Sequence, residues 1–218
     1  PILLSMHNLI FDCDGVLVDS EHLSCGAWIP VLAHYGIETD LVEIETMIGK
    51  SDRAVLEHFT RKTGYEFPLA ILAERQNEYF RQAQEDLQSF PGLAEVLTTL
   101  GQRGTPRAVA SSGHPDKIHF SLDRVGLSSH FDILCSAVEV ADGKPAPDLF
   151  LLAARRLGAE PPSCAVIEDS VFGIEAALRA GMLAIGFTSS HPAEQLRAAG
   201  AHRVFGRYDE FLDLLAEL

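Results

Sequence analysis

Asp12 and Asp14, separated only by Cys13 and followed by Gly15, come directly after the apolar run Leu9-Ile10-Phe11. Two like charges this close repel one another unless a cation lies between them. A second acidic pair, Glu168-Asp169, follows the apolar stretch Cys164 to Ile167 and precedes Ser170. Carboxylates so grouped can hold a hard divalent cation, and one of them can attack phosphorus. Aspartate also builds Asx turns, and an acidic residue before a helix also caps it, so neither pair is decisive alone.

Two further segments offer what an anion needs. Ser111-Ser112-Gly113, directly after Arg107 to Ala110, presents hydroxyls and small residues whose backbone N–H groups can approach an anion closely. Lys144 stands between Gly143 and Pro145, where proline restricts the backbone and keeps the lysine outside regular structure. Its ammonium can meet phosphate as a point charge. A helix cap and a solvated loop lysine are the ordinary readings of these two strings. Together, however, the four segments form a complete set for phosphoryl transfer: metal-binding carboxylates, a nucleophilic carboxylate, and hydroxyl, ammonium and amide donors for the phosphoryl oxygens.

Such a set works only if one scaffold gathers it. The strand candidates are Leu9 to Phe11, Arg107 to Ala110, Asp132 to Cys135, Cys164 to Ile167, Leu183 to Phe187 and Arg203 to Phe205. Between them lie helical stretches that stop at Gly126, Gly158, Gly181 and Gly200. The alternation predicts an α/β fold with a Rossmann-like parallel sheet, helices on both faces, and ligand chemistry beyond the carboxyl ends of the strands. All four chemical segments fall at those ends. Residues 20–89 read differently, as nearly continuous helix broken near Gly36, Gly49 and Gly64, with Pro68 suited to a first helical turn. They predict a small all-helical cap domain inserted into a core made of 1–19 and 90–218. Tyr208 to Leu218 reads as a terminal packing helix.

The string from Phe11 to Glu21, FDCDGVLVDSE, resembles the first motif of the haloacid dehalogenase superfamily of phosphatases and phosphomutases. Ser111, Lys144 and Glu168-Asp169 are similar to its second, third and fourth motifs, in order, and the helical insert resembles that of its helical-cap branch. The resemblance implies that Asp12 is the nucleophile that accepts the phosphoryl group and that Asp14 is the general acid and base. It implies phosphate binding by Ser111, Ser112 and Lys144. It further implies Mg2+ held by Asp12, by the main-chain carbonyl of Asp14 and by Asp169, with Glu168 beside them.

Other strings invite readings of their own. Gly49-Lys50-Ser51 looks like a nucleotide-binding loop, but that motif needs glycine where Ile44 stands. Arg53, His22 and Ser20 are candidate substrate-specificity residues, Arg53 also being consistent with a solvated helix start. His114 stands where many members of the family have lysine or another polar residue. Cys13, between two acids, reads as a packed thiol with its backbone N–H facing phosphate. Sugar phosphomutases of the family carry a histidine at the position of Ser24 and a lysine-glycine pair where Ile48-Gly49 stands, so the resemblance favours a phosphatase over a mutase. The intact acidic set argues against a dehalogenase and against a non-catalytic binding member of the fold.

Composition limits the partners. The 218 residues carry 17 Lys and Arg against 31 Asp and Glu, a formal charge of -14, which argues against nucleic acid and anionic membranes. The expected partner is a small phosphorylated metabolite of the sugar phosphate, phosphogluconate or phosphoglycolate type, and the expected state a monomer or weak homodimer. No apolar run reaches membrane-spanning length. Four cysteines without CxxC spacing, and an opening that lacks the pattern of a secretory signal, point to the cytoplasm.

Overall fold

The computed structural model describes residues 8–47 and 52–217. Residues 48–51, which hold the nucleotide-loop look-alike, Lys50 and the Ile48-Gly49 pair, lie outside the described residues.

Contacts divide the chain into two compact units, Pro1–Asp19 with Gln88–Leu218, and Ser20–Leu87. The larger unit opens with strand β1 (Asn8–Phe11). The smaller follows with helices α1 (Glu21–Gly26), α2 (Trp28–His34), α3 (Leu41–Glu45), α4 (Asp52–Thr63) and α5 (Ala70–Asp86). Its interior is built from Trp28, Leu32, Ile44, Val55, Phe59 and Ile71, of which the α2 and α4 residues stand four apart on one helix face. Asp40 caps α3 by accepting the Glu43 N–H, and Gly36 and Gly64 turn the chain out of helices at positive φ.

The larger unit resumes with α6 (Leu93–Gln102), β2 (Arg107–Ser111), α7 (Pro115–Arg124), β3 (Leu134–Ser136) and α8 (Asp148–Leu157). It ends with β4 (Cys164–Glu168), α9 (Val171–Arg179), β5 (Leu183–Phe187), α10 (Ala193–Ala198), β6 (Arg203–Phe205) and α11 (Phe211–Ala216). Among the described residues the strands form one parallel sheet in the order β3-β2-β1-β4-β5-β6. Because successive side chains alternate, Ile10, Ala108, Ala110, Val166 and Ala184 face a core completed by α8, α9 and α10. Phe11 points the other way, with its ring centroid 5.8 Å from that of Phe131 and 6.2 Å from that of Phe211. Burial on both faces explains why the strands read as short continuous apolar runs.

The sheet order fixes where a site can form. From β1 the chain builds outward through β2 and β3, then returns to β4 on the opposite side and builds outward through β5 and β6. The switch between β1 and β4 leaves a crevice beyond their carboxyl ends. The register pairs Phe11 with Ile167, so Asp12 and Glu168 emerge side by side, and the Asp12 N–H still donates to the Ile167 carbonyl at 3.0 Å.

Strands β1, β2 and β4 each run one residue beyond their expected ends, and two further elements differ from their sequence expectations. Strand β3 starts at Leu134 and not at Asp132, its register with β2 beginning where Leu134 pairs with Val109, while the His130 carbonyl just before it accepts from the Arg107 guanidinium at 2.7 Å. The terminal segment begins as a 3-10 turn, Tyr208–Glu210, before α11. There the buried Tyr208 hydroxyl donates to the Val16 carbonyl at 2.8 Å. No helix among the described residues is long and apolar enough to cross a membrane.

Candidate active site

Asp12 leaves β1 into a tight loop. The Cys13 carbonyl accepts the N–H groups of Leu17 at 2.9 Å and Val18 at 3.1 Å, while Gly15 takes φ +77°, a region few residues but glycine enter. That loop turns Asp12 and Asp14 to the carboxyl edge of the sheet. Asp12 is buried.

Glu168, at the end of β4, is buried as well, and both of its oxygens are engaged. Oε2 accepts the Asp169 N–H at 3.0 Å, the Ser170 N–H at 3.0 Å and the Ser170 hydroxyl at 2.9 Å; Oε1 accepts Lys144 at 2.6 Å. Lys144 also reaches Asp12 Oδ1 at 2.6 Å and the Ala110 carbonyl at 3.3 Å. One ammonium therefore ties together the ends of β1, β2 and β4. Its Nζ lies over the Phe150 ring, 5.0 Å from the centroid.

Electrostatics follow from this geometry. Burial, the largest influence, raises the Asp12 carboxyl to about 7; Lys144 offsets part of the rise and Glu168 adds to it. Asp169 is also pushed well above the usual carboxylate range, by burial and then by Glu168 and Asp12. Burial works against the Lys144 ammonium, but Asp12 and Glu168 outweigh it and hold the lysine above its ordinary value. Cys13 is raised by burial and by its acidic neighbours, so its thiol is inert, in keeping with the packed role read from the sequence.

Asp12, Glu168 and Asp169 bring carboxylate oxygens within 4.8 Å of one another, all in buried residues. Three carboxylates face the single Lys144 ammonium, which leaves an excess of two negative charges when all are ionised. A divalent cation balances that excess, and an all-oxygen donor set is the kind magnesium takes. The residues fit the ion.

The remaining expected residues separate into two groups. Ser111 is buried at the end of β2, where its Oγ accepts the Gly113 N–H at 3.0 Å. A Cβ placed on Gly113 would lie 3.3 Å from Ser111 Oγ and 3.8 Å from Asp14 Oδ2, so Ser111, Gly113 and Asp14 adjoin one another. Ser112 is exposed. His114 is the N-cap of α7, accepting the Asp116 N–H at 3.4 Å, which gives it a structural task. In the smaller unit Arg53 has a side chain 87% exposed and pairs with Glu57 one turn on, the solvated helix-start arrangement. His22 is exposed and Ser20 is buried. The Ser24 carbonyl accepts from Arg75 at 3.1 Å.

Four site residues escaped the sequence reading. Lys117, in the first turn of α7, places Nζ 2.8 Å from both oxygens of Asp14. Ser189, Ser190 and His191 follow β5. Ser189 donates to the Gly15 carbonyl, Ser190 donates to Asp169 Oδ2, and His191 Nδ1 lies 2.9 Å from the Asp169 carbonyl. The signals were positional: Lys117 opens the helix behind Ser111, and the Ser-Ser-His string sits at a fifth strand end.

Comparison with known proteins adds a family and relatives. Residues 9–187 match the family model described as haloacid dehalogenase-like hydrolase. The chain is 34% identical over 178 residues to fructose-1-phosphate phosphatase YqaB of Escherichia coli (strain K12), covering 81% of this chain and 94% of that one. Among solved structures it is similar to a HAD family hydrolase from Deinococcus radiodurans R1 with bound phosphate and sodium. That match has 32% identity and a TM-score of 0.82, over 98% of this chain and 96% of the other. It is also similar to a putative beta-phosphoglucomutase from Thermotoga maritima, at 30% identity and a TM-score of 0.85, over 98% and 100%.

Proposed function

The chain belongs to the haloacid dehalogenase-like hydrolase family and is a phosphoric monoester hydrolase, and from that premise we propose that it is a magnesium-dependent phosphatase of small phosphorylated sugars. The observation that carries the reading is Lys144 bridging Asp12 and Glu168 at 2.6 Å each, beside Asp169, at the switch point of the sheet. It sets an ammonium among three buried carboxylates, which supports reading Asp12 as the nucleophile and the acidic group as a metal cradle.

In this reading an Asp12 carboxylate oxygen attacks phosphorus and the bond to the leaving alcohol breaks, forming an aspartyl-phosphate. Asp14 gives the alcohol its proton, then takes one from the water that attacks the aspartyl-phosphate and frees inorganic phosphate. Lys144, the Ser111 hydroxyl and backbone N–H groups beyond β1 and β2 neutralise and orient the phosphoryl oxygens. Ser112, being exposed, contributes through its backbone. Asp12, the Asp14 carbonyl and Asp169 would hold magnesium, with Glu168 fixing Lys144 beside them. When bound, the ion supplies the positive charge that brings two anions together. The formal charge of -14 makes such local cations necessary.

The likeness to fructose-1-phosphate phosphatase supports a sugar phosphate substrate, and we assign the helical unit Ser20–Leu87 the part of a cap. The free, buried cysteines of the chain suit a reducing compartment such as the cytoplasm. A panel of sugar phosphates, phosphogluconate and phosphoglycolate, assayed for phosphate release with magnesium or with chelator, tests the proposal. Phosphate release undiminished in Asp12→Asn would sink it. The likeness to a putative beta-phosphoglucomutase keeps a mutase as the second reading. Interconversion of hexose 1- and 6-phosphates without phosphate release would establish that reading instead.

A further inference from the structure

The segment after β5 grips the acidic residue that ends the second carboxylate pair. Asp169 Oδ2 accepts from the Ser190 hydroxyl, and the Ser189 hydroxyl, which donates to the Gly15 carbonyl, stands 3.4 Å away. The same oxygen lies against the Gly15 backbone, so closely that a Cβ added to Gly15 would come within 2.0 Å of it and 3.0 Å of Ser190 Oγ. His191 Nδ1 meets the Asp169 carbonyl at 2.9 Å, and as the protonated nitrogen it donates there. Asp169 is thus fixed at its main chain and at one carboxylate oxygen, and among the described residues no hydrogen bond engages Oδ1, the oxygen left for a cation.

This arrangement bears on which ion the cradle takes. Magnesium requires a compact octahedron of single oxygens at about 2.0–2.1 Å, whereas calcium accepts six to eight oxygens at about 2.3–2.6 Å and often takes both oxygens of one carboxylate. A carboxylate with one oxygen engaged elsewhere offers a single oxygen, which suits the first geometry and denies the second a two-oxygen ligand. We propose that Ser189 and Ser190 lock Asp169 as a one-oxygen ligand and thereby make the site selective for magnesium over calcium, with His191 as a further positioning residue. The inference rests on the magnesium reading given above. These residues touch the ligand and not the reacting atoms, so they are positioning residues.

The test is calorimetric titration of Mg2+ and of Ca2+ into the full chain without substrate. It compares wild type, Ser190→Ala, the double variant Ser189→Ala with Ser190→Ala, and Ser190→Thr, which keeps the hydroxyl. The preference for magnesium should fall about tenfold in Ser190→Ala and further in the double variant, and persist in Ser190→Thr. Melting in chelator identifies a variant that fails to fold; if the double variant fails, Ser190→Ala alone carries the test. An unchanged ratio of the two affinities in the folded alanine variants overturns the inference while leaving the magnesium reading intact. A wild-type protein that binds no magnesium overturns both.

Discussion

Lys144 Nζ lies 2.6 Å from Asp12 Oδ1, an ion pair in which both side chains are more than nine-tenths buried. The same ammonium serves Glu168 at the same distance. Removing one partner from a buried ionic cluster costs more than the cluster contributes when intact, because the survivors keep their charge without compensation. Lys144→Met should therefore lower unfolding stability by about 3 kcal/mol in chelator at pH 8 and abolish phosphatase activity. Added magnesium should recover part of the stability and none of the activity. Urea titrations with and without the ion check this; unaltered stability in chelator would contradict the charge balance assigned to the site.

Asp12 sets a pH dependence. Its carboxyl in the folded, metal-free protein is raised from 3.8 to about 7, so the folded state holds a proton that the unfolded chain has already released. The folded state is therefore favoured at low pH, and the Asp12 contribution is lost as pH rises from about 4 to about 7. Asp12→Asn removes this titration. In chelator, the variant should gain on wild type across that interval by about 2–4 kcal/mol, while turning over no substrate. Parallel stability curves for the two proteins between pH 5 and pH 8 would refute the assignment.

Lys117 reaches Asp14 with both oxygens at 2.8 Å, but here the two side chains are 20% and 28% exposed. A pair in contact with water contributes little to stability, so its effect should show in turnover. Asp14→Asn is expected to lose about 10²–10⁴-fold in kcat, as befits a general acid and base. Lys117→Met should lower kcat about tenfold with less than about 1 kcal/mol of destabilisation, and Lys117→Arg should retain more activity. Wild-type kcat in Lys117→Met would remove the residue from the machinery.

The difference between Lys144 and Lys117 shows what a sequence can disclose. Lys144 was legible because glycine and proline flank it and because its segment joins three others at strand ends. The parallel sheet was legible for a related reason, since burial on both faces leaves unbroken apolar runs such as Val166-Ile167. Lys117 reads as one more charged residue in an amphipathic helix, because nothing local distinguishes a lysine that reaches back across Gly113 from one that reaches into water. Ser189, Ser190 and His191 read as a polar loop for the same reason. Their task depends on β5 lying next to β4, a relation set by the order of the sheet. The edge of β3 was not legible because it is set by pairing with β2, where Val109 meets Leu134, and not by the apolar residues of the segment itself.

Gly173 offers a test in which local propensity and tertiary contact oppose each other. It lies inside α9, where replacing glycine by alanine ordinarily stabilises by about 1 kcal/mol. Here a Cβ would fall 1.9 Å from Cδ of Glu168 and 2.0 Å from its Oε1. The carboxylate cannot step aside cheaply, because Oε2 takes three donors from Asp169 and Ser170 while Oε1 takes Lys144. Gly173→Ala should therefore cost about 1–3 kcal/mol and displace Lys144 from Asp12, with a loss of activity larger than the loss of stability explains. Gly143→Ala is the matched control, since a Cβ there meets nothing within 4 Å. If Gly173→Ala melts above wild type and stays active, Glu168 is not the rigid anchor of Lys144 that its hydrogen bonds describe.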